Sequence, residues 1–168
     1  MTASHEPKPS RPEAPSSYGI GRDGSAPGEH LPWSEVEGWL TRARNYWVAT
    51  SAPDGRPHAM PVWGVWLDRA FWFSTHPDSR KGRNLTANPN VVVHLESGDE
   101  VAIVEGRAEP PADAARERIV LPYEEKYGIH IDVAHRGPSI LTVRPRIVFA
   151  WREADFPDSA TRWRFDAE

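Results

Sequence analysis

The sequence predicts a mainly β protein, a small antiparallel β-barrel with short helices at its ends. From residue 46 onward, apolar residues mostly recur with a period of two, which is the repeat of a half-buried strand. Short turn sequences rich in Gly, Asp and Asn separate these runs, as they do in antiparallel hairpins. Helical segments are few and do not alternate regularly with the strands, which argues against a parallel α/β sheet.

Residues 1–32 are predicted to be a flexible tail, and residues 33–168 the folded domain. The first 32 residues contain six of the 17 prolines and almost no large aliphatic side chains. Such a segment cannot bury enough apolar surface to offset the entropy lost on ordering it. Docking of Tyr18 and Ile20 on a neighbouring surface is the alternative.

The domain is predicted to begin with a helix over residues 35–44. Ser34 and Glu37 have the spacing of a capping box, in which each side chain bonds the other residue's backbone. The apolar residues that follow at i, i+3, i+4 and i+7 make one face: Val36, Trp39, Leu40 and Ala43.

The rest of the chain is predicted to be strands joined by turns, with two further helical segments. One short helix lies between Ser79 as its N-cap and Asn88-Pro89 as its end. Residues 111–127 are predicted to be helical in two pieces because Pro122 interrupts them, and Gly128 ends the second. Pro145 places the long strand near an edge or a bulge. The predicted strands are residues 46–51, 57–67, 70–75, 90–96, 101–108, 140–151 and 161–166.

Composition excludes several classes of function. The formal net charge of −4 disfavours a general nucleic-acid binder, and the absence of cysteine excludes disulfides and thiolate chemistry. No apolar run approaches the ~20 residues of a membrane span, and the N-terminus lacks the apolar core of a signal peptide. We therefore expect a cytoplasmic protein of one domain that binds neither nucleic acid nor membrane.

A candidate anion site lies where the strand over residues 70–75 is followed by the Ser79 helix. Helix N-termini present N–H groups and a positive dipole end, which suit a phosphate. Hydroxyls, an arginine, a lysine and an amide cluster there, although a solvated helix start is the alternative. The candidate phosphate residues are Ser74, Thr75, Ser79, Arg80, Lys81 and Asn84.

This stretch resembles the cofactor-binding signature of the pyridoxamine 5′-phosphate oxidase-like split barrels. The resemblance covers residues 35–110 and continues more weakly to Arg164. It implies a six-stranded antiparallel split barrel and a homodimer, with FMN or the deazaflavin coenzyme F420 in a groove between subunits. It also implies that Met60, Pro61, Val62 and Trp63 lie against the ring system of the cofactor. The matching residues are Phe73-Ser74-Thr75, Ser79-Arg80-Lys81, Leu85 and Asn88-Pro89.

The chain departs from the oxidases proper in two places. They have an Arg and a Lys on the second strand, whereas residues 57–67 contain neither. Their C-terminal arginine motif is also not evident here, although Arg162 and Arg164 lie near the end. These differences argue against vitamin B6 oxidation. Pro61-Val62-Trp63 together with Lys81-x-x-Asn84-Leu85 is more similar to the deazaflavin-dependent reductase branch.

The resemblance implies an oxidoreductase that uses coenzyme F420 or FMN for hydride transfer to or from a small organic substrate. Because the hydride chemistry belongs to the cofactor, no catalytic side chain is predicted. A non-catalytic carrier or sensor of a flavin or haem on the same barrel is the alternative, and a scaffold without cofactor is a third possibility.

Other chemistry-bearing residues receive weaker interpretations. His130, Asp132 and His135 lack a helical pair of histidines and are not predicted to bind metal. His58 and His76 flank the predicted groove and are candidates to donate a hydrogen bond to a substrate carbonyl, although exposed histidines at strand ends are common. Tyr123 and Tyr127 are candidates either to cover the substrate end of the groove or to pack against the barrel.

Overall fold

The computed structural model describes residues 6–20, 28–133 and 139–165. Within these ranges the chain is mainly β, which confirms the predicted class, and all strand pairs are antiparallel. The strands are β1 (Pro9–Ser10), β2 (Tyr46–Ser51), β3 (Pro57–Val62), β4 (Gly64–Leu67), β5 (Ala70–Thr75), β6 (Asn90–Leu95), β7 (Glu100–Glu109), β8 (Ser139–Arg152) and β9 (Thr161–Arg164). The α-helices are α1 (Trp33–Arg42), α2 (Arg80–Ala87) and α3 (Val120–Tyr127), and 3₁₀ turns occur at Ser16–Tyr18, Asp113–Ile119 and Glu153–Asp155.

The barrel closes through β8 and through the bent strand formed by β3 and β4. β8 pairs with β5, β7 and β9. From β7, the order of hydrogen-bonded neighbours continues through β6 and β2 to β3. β3 and β4 are separated by Trp63 alone, so they form one bent strand that joins β2 to β5. Counted in this way, six strands form the ring expected of a split barrel, and β9 and β1 extend the sheet beside β8.

Two hydrophobic clusters fix the position of the helical segments. The larger one fills the barrel and includes Tyr46, Phe71 and Phe73, with α1 packed over it through Val36 and Leu40. The second lies on the outer face of the β4–β5 hairpin, where residues 113–127 cover it. Its buried members are Val65, Ala70, Trp72, Ile119, Tyr123, Tyr127 and Ile140.

The capping box predicted for the first helix is wrong. The helix begins at Trp33 after an extended Pro32, without a side-chain cap, so Ser34 lies inside the first turn. Glu37 instead accepts a hydrogen bond from Nε1 of Trp66 at 3.1 Å. The burial of Trp33 in the core therefore sets the start of this helix, because tertiary packing outweighs a local capping preference.

Of the two prolines singled out in the sequence, Pro122 differs from the prediction and Pro145 agrees with it. Pro122 lies in the first turn of α3 and does not interrupt it, since the backbone N–H missing from proline has no intrahelical partner there. Pro145 pairs with Gly106 where the register of β7 and β8 shifts, as expected of a bulge. The α-helical conformation ends at Gly128, whose φ of 70° is the left-handed conformation predicted for this glycine.

The described parts of the N-terminal segment make more contacts than a tail would. β1 pairs with β9, and Ile20 and Leu31 are buried, whereas Tyr18 is exposed. Buried Arg11 donates hydrogen bonds to the carbonyl oxygens of Gly28, Asp158 and Ala160. Residues 6–20 and 28–32 thus differ from the predicted flexible tail, because a buried arginine and strand pairing replace the missing aliphatic core. Residues 1–5 and 21–27 lie outside the described ranges.

Candidate functional site

The N-terminus of α2 is held in place by two hydroxyl side chains. The Ser79 side chain caps the helix by accepting a hydrogen bond from the Gly82 N–H at 3.1 Å. Its Oγ also lies 3.0 Å from Oγ1 of buried Thr75, at the end of β5. The N–H groups of Arg80 and Lys81 have no intrahelical partner, as in any first helical turn. The predicted cap is therefore confirmed, and it fixes an electropositive helix end beside β5.

A close backbone approach supports the same helix end. A Cβ added to Gly82 would lie 2.4 Å from the carbonyl oxygen of His76 and 2.6 Å from that of Pro77. The Ser79 N–H donates to the His76 carbonyl at 3.0 Å, and the Arg83 side chain donates to the carbonyl of Asp78. The loop over residues 76–78 therefore lies directly against the first turn of α2, and only glycine fits at position 82.

His58 of β3 is near the two cations of the helix end. Burial together with the charges of Arg80 and Lys81 lowers the pKa of His58 below its ordinary value of 6.5. The imidazole is therefore mainly neutral at pH 7 and keeps one N–H as a donor. Arg80 is exposed and Lys81 is half-buried. The structure thus brings together two predicted phosphate residues and a histidine that sequence reasoning had not assigned to the phosphate.

The other predicted phosphate residues are less uniformly placed. Asn84 is buried and donates its amide to Oγ1 of Thr50 at 3.0 Å, so it ties α2 to β2. Ser74 is half-buried and, by strand alternation, lies on the opposite face of β5 from Thr75. The amide of Asn84 is therefore already used inside the protein, and Ser74 and Thr75 do not face the same side.

β3 is the last strand in the order of hydrogen-bonded neighbours in the sheet, and it presents exposed apolar side chains. His58, Met60 and Val62 lie opposite Thr50, Val48 and Tyr46 of β2, so they share the inner face of the sheet. Met60 nevertheless keeps 44% of its surface exposed. Pro61 is on the other face, which separates it from its predicted neighbours Met60 and Val62.

Trp63 lies in the break between β3 and β4 and stacks on Tyr127. The ring centroids are 4.8 Å apart with an interplanar angle of 11°, and Trp63 remains 39% exposed. The guanidinium carbon of Arg44 lies 5.8 Å from the Trp63 ring centre and 5.5 Å from that of Tyr127. Trp66 is buried in the core cluster.

A buried polar network fixes this aromatic pair. The Lys126 ammonium group donates to the hydroxyl of Tyr46 at 2.8 Å and to the carbonyls of Thr41 and Gly64 at 3.2 and 3.1 Å. The Tyr127 hydroxyl accepts from the Gly64 N–H at 2.9 Å. Desolvation, reinforced by the charge of Arg44, lowers the pKa of Lys126 to about 8.

Burial also raises the pKa values of Tyr46 and Tyr127. The hydrogen bonds of Lys126 were not predicted, because this residue is distant in sequence from Thr41, Tyr46 and Gly64.

The remaining candidate residues do not assemble into a further site. The Nδ1 of His76 accepts from the Asp78 N–H at 3.2 Å, and the Nδ1 of His130 lies 3.5 Å from a carboxylate oxygen of Glu124. Across residues 6–20, 28–133 and 139–165, no group of three or more metal-ligating side chains is placed to hold a metal ion. His135 lies outside these ranges. No helix in the same ranges is long and apolar enough to cross a bilayer.

The closed antiparallel ring of six strands, with α2 beside the exposed edge strand β3, defines a split-barrel protein. The family model described as pyridoxamine 5′-phosphate oxidase matches residues 33–152. The chain therefore belongs to the pyridoxamine 5′-phosphate oxidase family, which confirms the resemblance seen in the sequence.

Individual relatives agree with this assignment. Pyridoxine/pyridoxamine 5′-phosphate oxidase of Gluconobacter oxydans is 43% identical over 65 residues, which cover 37% of this chain and 32% of that protein. The chain thus spans about a third of the length of this curated relative. A conserved hypothetical protein of Mycobacterium tuberculosis, Rv2991, aligns with a TM-score of 0.63 at 26% identity, covering 73% of this chain and 85% of its own. A structure described as an F420 reductase aligns with a TM-score of 0.54 at 24% identity, covering 67% and 94%.

Proposed function

We propose that the protein is an oxidoreductase that binds coenzyme F420 or FMN along β3 and transfers hydride to or from a small organic substrate. The observation that carries this proposal is the paired cations Arg80 and Lys81 at a capped helix start, next to an exposed apolar edge strand. The fold shared with an F420 reductase supports the choice of cofactor class.

The residues of the helix end fit the phosphate of such a cofactor. Arg80 and Lys81 supply positive charge, the first turn of α2 supplies N–H donors, and neutral His58 supplies one more. The Ser79 and Thr75 hydroxyls bond each other, so their main role is to hold the helix end in position. Asn84 contributes by anchoring α2 to β2 through Thr50.

The rest of β3 fits a flat ring system. Four residues of extended strand separate His58 from Val62, a distance of about 13 Å. Val62 is buried in the core cluster, but Met60 presents apolar surface on the same face as His58, and partly exposed Trp63 continues it beyond the strand. These side chains provide the apolar, water-poor surface that a planar cofactor needs.

The bound flavin or deazaflavin would supply the hydride chemistry itself. The protein's part is to bind the phosphate, orient the ring and exclude water. No side chain of the described ranges is required as a nucleophile, which agrees with a family whose chemistry is carried by its cofactor.

The double variant Arg80→Ala/Lys81→Ala tests the site. We expect it to weaken binding of FMN and of coenzyme F420 by at least about tenfold, since each charge-assisted hydrogen bond contributes about 1.5–3 kcal/mol. Arg107→Ala/Arg118→Ala is the matched control, because it removes the same charge from exposed ion pairs with Glu109 and Asp68. Equal titration curves for both double variants would contradict the assignment.

A turnover assay separates the oxidoreductase from a carrier on the same barrel. Reduced coenzyme F420 or FMN is mixed with a panel of activated enones and quinones, and the loss of the reduced chromophore is followed. We expect turnover above the rate without protein. Tight cofactor binding without turnover would favour the carrier or sensor.

We also propose a homodimer in which the outer face of the barrel is covered by a second copy. Cross-strand neighbours on β2, β6, β7 and β8 make a half-buried, mainly apolar row beside the β3 edge: Trp47, His94, Ile103 and Phe149. Such a row next to an uncovered edge strand is typical of an association surface. We expect Ile103→Lys to reduce the mass measured by light scattering by half, while exposed Glu117→Lys leaves it unchanged. A wild-type protein that is monomeric at all concentrations would refute this part of the proposal.

A further inference from the structure

The end of β3 farthest from His58 carries the exposed guanidinium of Arg44. Tyr46 of β2 lies opposite Val62, whereas Thr50 lies opposite His58, so Arg44 is at the Trp63 end of β3. Arg44 is exposed, and among the described residues it has no carboxylate within 4.0 Å. Its side-chain contacts are with the rings of Trp63 and Tyr127.

The position of Arg44 is fixed at both its backbone and its side chain. The Tyr127 hydroxyl lies 2.7 Å from the Arg44 carbonyl oxygen, and that hydroxyl is itself held by the Gly64 N–H. The guanidinium carbon is nearly equidistant from the two stacked rings, at 5.8 and 5.5 Å. Stacking orients an arginine side chain while leaving its N–H donors free, so little ordering entropy remains to be lost on binding.

The charged groups around this guanidinium are of both signs, because Arg42, Glu96 and Glu100 line one surface cavity together with Arg44. Lys126 is the other cation of the cluster, and its ammonium group lies 5.7 Å from the Tyr127 ring centre. That ammonium group already makes hydrogen bonds to two carbonyls and a hydroxyl, whereas the donors of Arg44 do not. A carboxylate accepts two parallel N–H bonds from a guanidinium, and the exposed part of the Trp63 ring offers a flat apolar surface beside it.

We propose that Arg44 is a substrate-binding residue that pairs with the carboxylate of a planar, conjugated organic acid lying against Trp63. This inference rests on the proposed function, because it places the substrate at the ring end of the same groove. It narrows the small organic substrate to a conjugated carboxylic acid. Arg44 provides binding and specificity, and the chemistry remains that of the bound cofactor.

The test compares the affinities of trans-cinnamate and its neutral amide, cinnamamide, for the full-length protein saturated with FMN. Binding is measured by isothermal titration calorimetry, so that no turnover is needed. We expect the wild type to bind cinnamate at least about tenfold more tightly than cinnamamide, the effect of one charge-assisted pair. Arg44→Met should bind the two equally, and Arg44→Lys should keep part of the preference, because lysine lacks the planar fork.

Arg42→Met is the matched control, since it removes a nearby exposed arginine that does not touch the aromatic pair. We expect it to keep the wild-type preference. FMN titration of Arg44→Met should match the wild type, which separates this proposal from the site at Arg80 and Lys81. A wild type without the preference, or an Arg44→Met variant that retains it, would overturn the proposal. A wild type that binds neither FMN nor coenzyme F420 would instead refute the proposed function.

Discussion

Replacing Gly82 by alanine should damage the candidate phosphate site although it adds only a methyl group to a helix. The new Cβ would lie 2.4 Å from the His76 carbonyl oxygen and 2.6 Å from that of Pro77, where ordinary contact begins at 3.4 Å. The loop backbone must therefore move by about 1 Å, and overpacking of this kind costs about 1–3 kcal/mol. The better helix propensity of alanine offsets about 1 kcal/mol of this cost, which leaves a net loss of up to about 2 kcal/mol.

The displacement should affect binding as well as stability. Moving the His76 carbonyl weakens its hydrogen bond from the Ser79 N–H, and Ser79 is the cap that positions Arg80 and Lys81. We expect a lower free energy of unfolding in urea and weaker FMN binding in the same variant.

Gly98→Ala is the matched control for Gly82→Ala, because nothing lies within 4 Å of its added Cβ and its φ is not positive. At such a position alanine is neutral or stabilises by a few tenths of a kcal/mol to about 1 kcal/mol, through the unfolded state. Urea denaturation and FMN titration of the two variants are compared side by side. If Gly82→Ala behaved as Gly98→Ala does in both measurements, the close approach of the loop would have no part in the site.

Three further predictions concern the rest of the fold. Tyr127→Phe leaves the buried N–H of Gly64 without its acceptor, so we expect the free energy of unfolding in urea to fall by about 1–3 kcal/mol; an unchanged midpoint would contradict the bond. With its pKa lowered to about 8 from 10.5, Lys126 binds fewer protons in the folded than in the unfolded chain between these values. Stability should therefore rise from pH 8 toward pH 10, before tyrosines ionise, by about 1 kcal/mol after allowance for partial exposure. This rise should be absent in Lys126→Met, and thermal melts over that range measure it. Deleting residues 1–32 removes the β1–β9 pairing and the Arg11 hydrogen bonds, so we expect stability to fall by about 3 kcal/mol or more, whereas a flexible tail would leave the melting temperature unchanged.

Local patterns predicted the parts of the candidate site that are contiguous in the chain. The Ser79 cap, the helix that follows it and the cations Arg80 and Lys81 are all within one short stretch, so spacing alone was sufficient. Asn84 was assigned to the same phosphate because it lies one helical turn after Arg80. In the structure, the Asn84 amide donates a hydrogen bond to Thr50, which is 34 positions away in the chain. A local sequence pattern cannot predict such a contact.

The errors in the fold have the same origin. The single strand expected over residues 57–67 is broken at Trp63. At this residue the pairing partner changes from β2 to β5, and the Trp63 indole stacks on Tyr127. The predicted capping box failed because Trp33 is drawn into the core. For Trp33, burial of a large aromatic side chain contributes more free energy than the local capping preference, so packing determined where the helix begins.

By itself, the sequence determined the mainly β class, the family and the cationic run at the start of α2, because periodicity, turn residues and short motifs are local properties. Only the tertiary structure decided which side chains converge at the two ends of β3. His58 came to lie beside Arg80 and Lys81, and Arg44 beside Trp63 and Tyr127, through barrel closure and the docking of α3. Contacts between residues so distant in the chain depend on strand pairing and core packing, which no short stretch of sequence specifies.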